Sequence, residues 1–362
     1  MAFPLEKTRM YTDSPLAGED QPRWVGIDYL RASMSLFVLA WHIRLFGMSS
    51  LFSPTEYPRH RMELSDLINF NILLLAVPVF FLVSLFLQVE KWKATQGRIW
   101  GRIEHLTYLY LFWTTVSLAV YKMEGYLYLV WPDSILSAFL FVLSGGRSLF
   151  YFIFSLILLT AAGYASRRWP LRWKQILALG CLALLWMFPW IVLEDKRFHL
   201  LVALWNPLNF LVYVFIAHLL SHYFGNHPEM IRTSGYWKAV LCLGILFVLT
   251  ASWEWFWIRG IDNFTYDGYA FTSYTRVSIA LGATILVLIS FSITRPPGFV
   301  VKWLSNYSLG IYCLHGFVTY YYFRVKPAAV TFPGRLGDFL VILTGSLCLA
   351  FVLRRAFRKG LL

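Results

Sequence analysis

Windows of about 20 mostly apolar residues, the length a helix needs to cross bilayer hydrocarbon, recur about ten times along this 362-residue chain. They centre on residues 27–46, 69–89, 104–121, 147–166, 174–192, 202–222, 238–258, 275–294, 303–323 and 337–355. Lipid leaves backbone amides no water to bond, so such a chain must form helices. The composition agrees: 58% of residues are hydrophobic and only 14% charged, too little polar surface for a soluble domain of this length. The fold class that follows is an all-α polytopic membrane protein. A tail, residues 1–24, precedes one membrane domain over 25–355, and a short tail, 356–362, follows it. The polar amino-terminal tail does not read as a cleavable signal, so the first window is taken as a retained span. Residues 126–146 are divided by Pro132 and Asp133, and suit a short helix on or in the membrane better than an eleventh span.

With the amino terminus inside, cytoplasmic segments carry 19 Lys and Arg and the outer ones 11, a bias that places both termini in the cytoplasm. The net charge of +13 comes from these loop clusters. No nucleic-acid motif accompanies them, so lipid headgroups or a phosphorylated cytoplasmic ligand are the expected partners. The four cysteines all lie in apolar windows without metal spacing. His218 and His222 are four apart but lack a third ligand nearby, so no metal is expected.

The first window, "IDYLRASMSLFVLAWHIRLFG", carries Asp28, Arg31, His42 and Arg44. Ionisable groups at such depth usually face a partner or a site. Asp28 and Arg31 share a face near the cytoplasmic end, and His42 returns to that stripe about 16 Å farther along the helix. Taken alone, Arg31 reads equally as a snorkelling cation, and His42 as a hydrogen-bonded core histidine. A second deep histidine, His315 in "WLSNYSLGIYCLHGF", changes the balance: it lies about 18 Å along its helix from Trp303, at a comparable level. Two imidazoles at one depth suggest a proton-handling centre. Glu254 and Arg276, near the outer ends of two windows, are candidates for an acceptor-side vestibule or for an interfacial ion pair.

These residues resemble the acyltransferase-3 family of ten-helix membrane acyltransferases. Asp28-x-x-Arg31-Ala32 followed by His42 is similar to its first-helix signature, in which ten residues separate an Arg from a His. "VPVFFLVSLFL" resembles its Phe-Phe-x-x-Ser-Gly segment, with Ser84 as the serine. "GRIWGRIEHL" resembles its Arg-rich entry to span 3, "SLFYFIFSLILL" its aromatic entry to span 4, and "SNYSLGIYCLH" its late Ser-x-x-Ser-x-x-x-Tyr-x-x-His segment. Three places depart: Leu85 stands where the family has Gly, the pair Glu104 and His105 where a proline is common, and Ser148 where many members have His.

The resemblance implies transfer of an acyl group, acetyl being the commonest, from cytoplasmic acyl-CoA to a hydroxyl of an extracytoplasmic or lipid-linked glycan at the inner (cytoplasmic) membrane. His42 would be the general base, Arg31 and His315 its catalytic partners, and Arg31, Arg98, Arg102 and Ser84 the residues that hold acyl-CoA. Asp28, Ser308 and Tyr312 would orient, the last two with His315 as hydrogen-bond donors. The alternative is a proton-coupled transporter or flippase for a lipid-linked glycan, with Arg31, His42 and His315 as the proton path; no inverted repeat is visible to favour it.

Overall fold

The computed structural model describes residues 24–47, 64–95, 99–123, 134–145, 149–225, 227–258 and 273–356, which form helices and no strand. The terminal tails, Arg98, Ser148 and residues 126–133 lie outside the described residues.

Helix α1 (Val25–His42) is the hub. It packs on α2 (Ala76–Thr95), α9 (Val277–Phe291), α10 (Phe299–Asn306) and α11 (Ser308–Val325). Surrounded by protein, it can keep polar groups that a lipid-facing helix could not. Gly26 makes one of these contacts possible, since a β-carbon there would lie 1.8 Å from the carbonyl oxygen of Ser290 on α9.

Around this hub lie α3 (Trp100–Met123), α5 (Tyr151–Ser166), α6 (Leu171–Glu194), α7 (Leu211–Leu220), α8 (Ser234–Ile258) and α12 (Phe332–Ala356). Among the described residues, five helical stretches are long and apolar enough to cross a membrane: Leu64–Lys93, Leu171–Val192, Pro207–Gly225, Ser234–Trp255 and Phe332–Ala356. Tyr151–Ser166 and Val277–Phe291 are shorter apolar helices. Leu241, Val248 and Leu249 on α8, and Leu340, Val341 and Val352 on α12, stay exposed, a surface that lipid can cover and water cannot. Buried aromatic rings fill the interior, with Phe81 of α2 meeting Phe152 of α5 and Phe210 at 4.5 Å each.

Between these, α4 (Ile135–Leu143) has nine residues, caps its amino end with a Ser134–Ser137 box and buries no residue. Its rise of about 14 Å is too short to span, in keeping with a short membrane-associated helix. Leu85, the residue in place of the family's glycine, is a core side chain at 2% exposure. Close backbone approach is therefore not what this position supplies; it fills volume.

The helix leading into α2 is not regular. Leu64–Leu67 is α-helical, Ile68–Ile72 forms a π turn and Leu73–Leu75 a 3₁₀ turn before α2 begins. Such a break at membrane depth is tolerable only where its freed polar groups find partners in the protein. Here the partner is Arg276, whose guanidinium donates to the Phe70 carbonyl and, at 2.9 Å, to Asn71 Oδ1.

Candidate active site

Helices α1, α10 and α11 build the candidate site, and they meet in parallel register. Ser305 Oγ donates to Asp28 Oδ1 at 2.9 Å, Arg31 Nη2 donates to Ser308 Oγ at 3.2 Å, and farther along the His42 and His315 rings lie 4.9 Å apart, centroid to centroid. The acidic and basic pair at one end of the stripe is thus held by two serines, and the two imidazoles meet at the other.

His315 is fully buried. Its Nδ1 lies 3.0 Å from the Ile311 carbonyl oxygen and 2.8 Å from that of Tyr312. A carbonyl can only accept, so Nδ1 carries the proton, and in the neutral ring Nε2 offers a lone pair. Nε2 is buried without a partner among the described residues. The expectation of His315 as a hydrogen-bond donor to substrate therefore changes, because its one N–H is spent on its own helix and its free nitrogen accepts.

Two cavities flank this stripe. The larger, of about 400 Å³, is lined by Arg31, Ser84, Arg102, Ser308 and Tyr312 among others. Arg102 Nη2 donates to Ser84 Oγ at 2.9 Å, while its Nε is buried without a partner among the described residues. Gln88, Lys91 and His105 also line this cavity. Sequence reasoning gave Gln88 no role, although Ser84, Gln88 and Lys91 follow one another at a helical turn apart on α2, a spacing that shares a face. The mixture of cations, hydroxyls and apolar walls suits a ligand with a phosphorylated end and a slender apolar arm.

The smaller cavity, of about 90 Å³, is lined by His42, Trp41, Tyr274 and Tyr312 with Leu73, Leu74, Ala76 and Val77 of the irregular entry to α2. His42 is exposed to this space. An imidazole open to a small cavity and backed by a second imidazole can take and return a proton there.

Glu254 and Arg276 do not line the cavity that holds His42. They are buried, at 2% and 1% exposure. Glu254 accepts from the Ser278 amide at 3.0 Å and from the Ser278 hydroxyl, and Arg276 secures the irregular segment described above. In place of the vestibule expected from their position near helix ends, the two side chains are buried in polar contacts, Glu254 with Ser278 and Arg276 with Asn71 and the Phe70 carbonyl. The cavity wall comes instead from Ser273 and Tyr274, just before Arg276. The sequence carried a partial signal: Pro78, early in α2, has no amide to give the Leu74 carbonyl in the 3₁₀ turn, although the π turn itself holds neither glycine nor proline. His218 is likewise structural: its Nε2 donates to the Gly163 carbonyl at 3.0 Å.

A family model described as an acyltransferase domain, that of the acyltransferase-3 family, matches residues 24–355. No curated protein and no solved structure matches the chain.

Proposed function

The chain belongs to the acyltransferase-3 family, and on that premise we propose that it moves an acyl group, acetyl first among the candidates, from cytoplasmic acyl-CoA to a hydroxyl of an extracytoplasmic or lipid-linked glycan. The observation that carries the reading is the pairing of two chambers along one helix stripe. Arg31 lines the larger chamber with Arg102 and Ser84, and His42 opens into the smaller one beside His315. We place ten spans across the inner membrane with both termini in the cytoplasm, so that the larger chamber is the donor side.

In this scheme Arg31 and Arg102 meet phosphate oxygens of acyl-CoA, Arg98 joining them from the same cytoplasmic segment, and the pantetheine arm extends toward Tyr312. Asp28 and Ser308 keep Arg31 in place. The acceptor hydroxyl enters beside His42, which removes its proton as the oxygen bonds to the thioester carbon. The carbon–sulfur bond breaks and the proton passes from His42 to the leaving thiolate. The His315 ring, 4.9 Å from that of His42 centroid to centroid, backs the base and, held neutral by the bond its Nδ1–H makes to its own helix, adds no second charge beside the imidazolium that forms.

The test uses purified full-length protein, labelled acetyl-CoA and envelope glycans as acceptors. His42→Ala is expected to abolish label transfer while the protein stays membrane-inserted and monodisperse; near-normal transfer by that variant overturns the assignment. Mass spectrometry of envelope glycans with and without the protein identifies both acyl group and acceptor from the mass shift.

A further inference from the structure

A donor from the cytoplasm and an acceptor from the opposite side must meet without leaving an open path between them, and water must not take the acyl group first. Among the described residues the two chambers share a single lining residue, Tyr312. Given the acyl-transfer reading above, on which this rests, we infer that Tyr312 is the partition between the chambers and the residue that sends the acyl group to the acceptor hydroxyl instead of to water.

The ring is held on every side that the role requires. At 4% exposure it packs against Phe152 at 5.1 Å and against His315 at 6.1 Å, the latter within the histidine pair itself. Its hydroxyl donates to the Leu149 carbonyl, and Leu149 lines the outer chamber. The expectation that Tyr312 donates to substrate thus gives way to a tether, because the one phenolic proton is committed to the backbone. Gly316, one turn on, leaves the room that Leu149 occupies: a β-carbon there would stand 2.9 Å from Leu149 Cδ1. Tyrosine and leucine therefore close the boundary together, one by its ring and the other by lying over the turn that follows.

The outer chamber has room for few waters beside an acceptor, given about 30 Å³ for each. The thioester reaches His42 past the edge of the Tyr312 ring, which fills the rest of the gap; with the ring removed, the chambers merge and water reaches the thioester. Its oxygen then bonds to the acyl carbon, the carbon–sulfur bond breaks, and the proton it loses goes through His42 to the departing thiolate, giving free acid and coenzyme A. Excluding water from a reactive acyl group is a common reason for closing an active site.

The experiment measures coenzyme A release from acetyl-CoA by full-length protein in lipid nanodiscs with no acceptor present, and in parallel the ratio of glycan acylated to thiol released. Tyr312→Ala is expected to raise acceptor-free release about tenfold or more and to lower the ratio, as loss of a water barrier requires. Tyr312→Phe keeps the ring and loses the tether, and an increase of about fivefold is expected, the scale of one hydrogen bond. Adding His42→Ala to either variant returns release to the wild-type level. Release that stays at the wild-type level in variants that still bind coenzyme A overturns the partition, and Tyr312→Phe decides the matter if the alanine variant does not fold. Wild-type protein that neither binds coenzyme A nor acylates any envelope glycan overturns instead the acyl-transfer reading, so the two failures are distinct.

Discussion

Arg44, two residues beyond His42, is the residue for which the sequence offers no role, and its backbone supplies one. It has φ +55°, a conformation that glycine adopts freely and other residues rarely. Leu45 N–H returns to the Ala40 carbonyl at 3.0 Å and Arg44 N–H to that of Trp41 at 3.1 Å, so Arg44 occupies the left-handed position that closes a Schellman motif at the end of α1. Replacing it with glycine is expected to stabilise the protein by about 1 kcal/mol, read as a higher unfolding temperature in detergent. Arg102 is the converse case, a residue whose type follows from chemistry. Its bond to Ser84 holds the guanidinium in the wall of the donor chamber, and Arg102→Ala is expected to raise KM for acetyl-CoA by about tenfold or more with a smaller change in kcat. At this scale the stripe of Asp28, Arg31 and His42 was legible, because helical spacing alone fixes which residues share a face. The proton position on His315 was not, because it depends on two carbonyl oxygens brought into range by the ring's orientation.

The elements are linked by a few contacts that tolerate little change. Gly26 lets α1 approach the Ser290 carbonyl, and the obstacle to any side chain there is backbone, which cannot rotate away. Gly26→Ala is expected to cost about 1–3 kcal/mol through overpacking, visible as a lowered unfolding temperature and reduced yield of monodisperse protein. Arg276 performs the complementary task for the irregular turns before α2. Arg276→Met leaves the Phe70 carbonyl and Asn71 Oδ1 buried without their donor, a loss expected to reach about 2–5 kcal/mol. Because Leu73, Leu74 and Ala76 line the His42 chamber, the same substitution should lower transfer activity in the fraction that remains folded. The apolar window over residues 69–89 announced a helix there, and Pro78 within it marks a break at the Leu74 carbonyl, but the π turn before it and the buried arginine that bonds it were not legible.

For the whole molecule, the proposed orientation makes the donor and acceptor accessible from opposite sides. Acetyl-CoA, which does not cross a bilayer, is expected to support acylation when added to inside-out vesicles and not to intact right-side-out ones; activity in the latter would reverse the assignment. A carboxyl-terminal tag should be digested by protease in the inside-out preparation alone. The sequence by itself determined that the chain is helical and membrane-bound, where its long apolar stretches lie, and which residue types stand at depth on α1 and α11. It could do so because hydropathy fixes burial in lipid and helical period fixes depth and face. The tertiary structure alone decided that the faces of α1 and α11 meet at the two histidines, that Glu254 turns inward to Ser278 and Arg276 to the broken helix, and that Tyr312 lines both chambers. Those outcomes depend on which neighbour each face packs against, and period and hydropathy are the same for every neighbour a helix could choose.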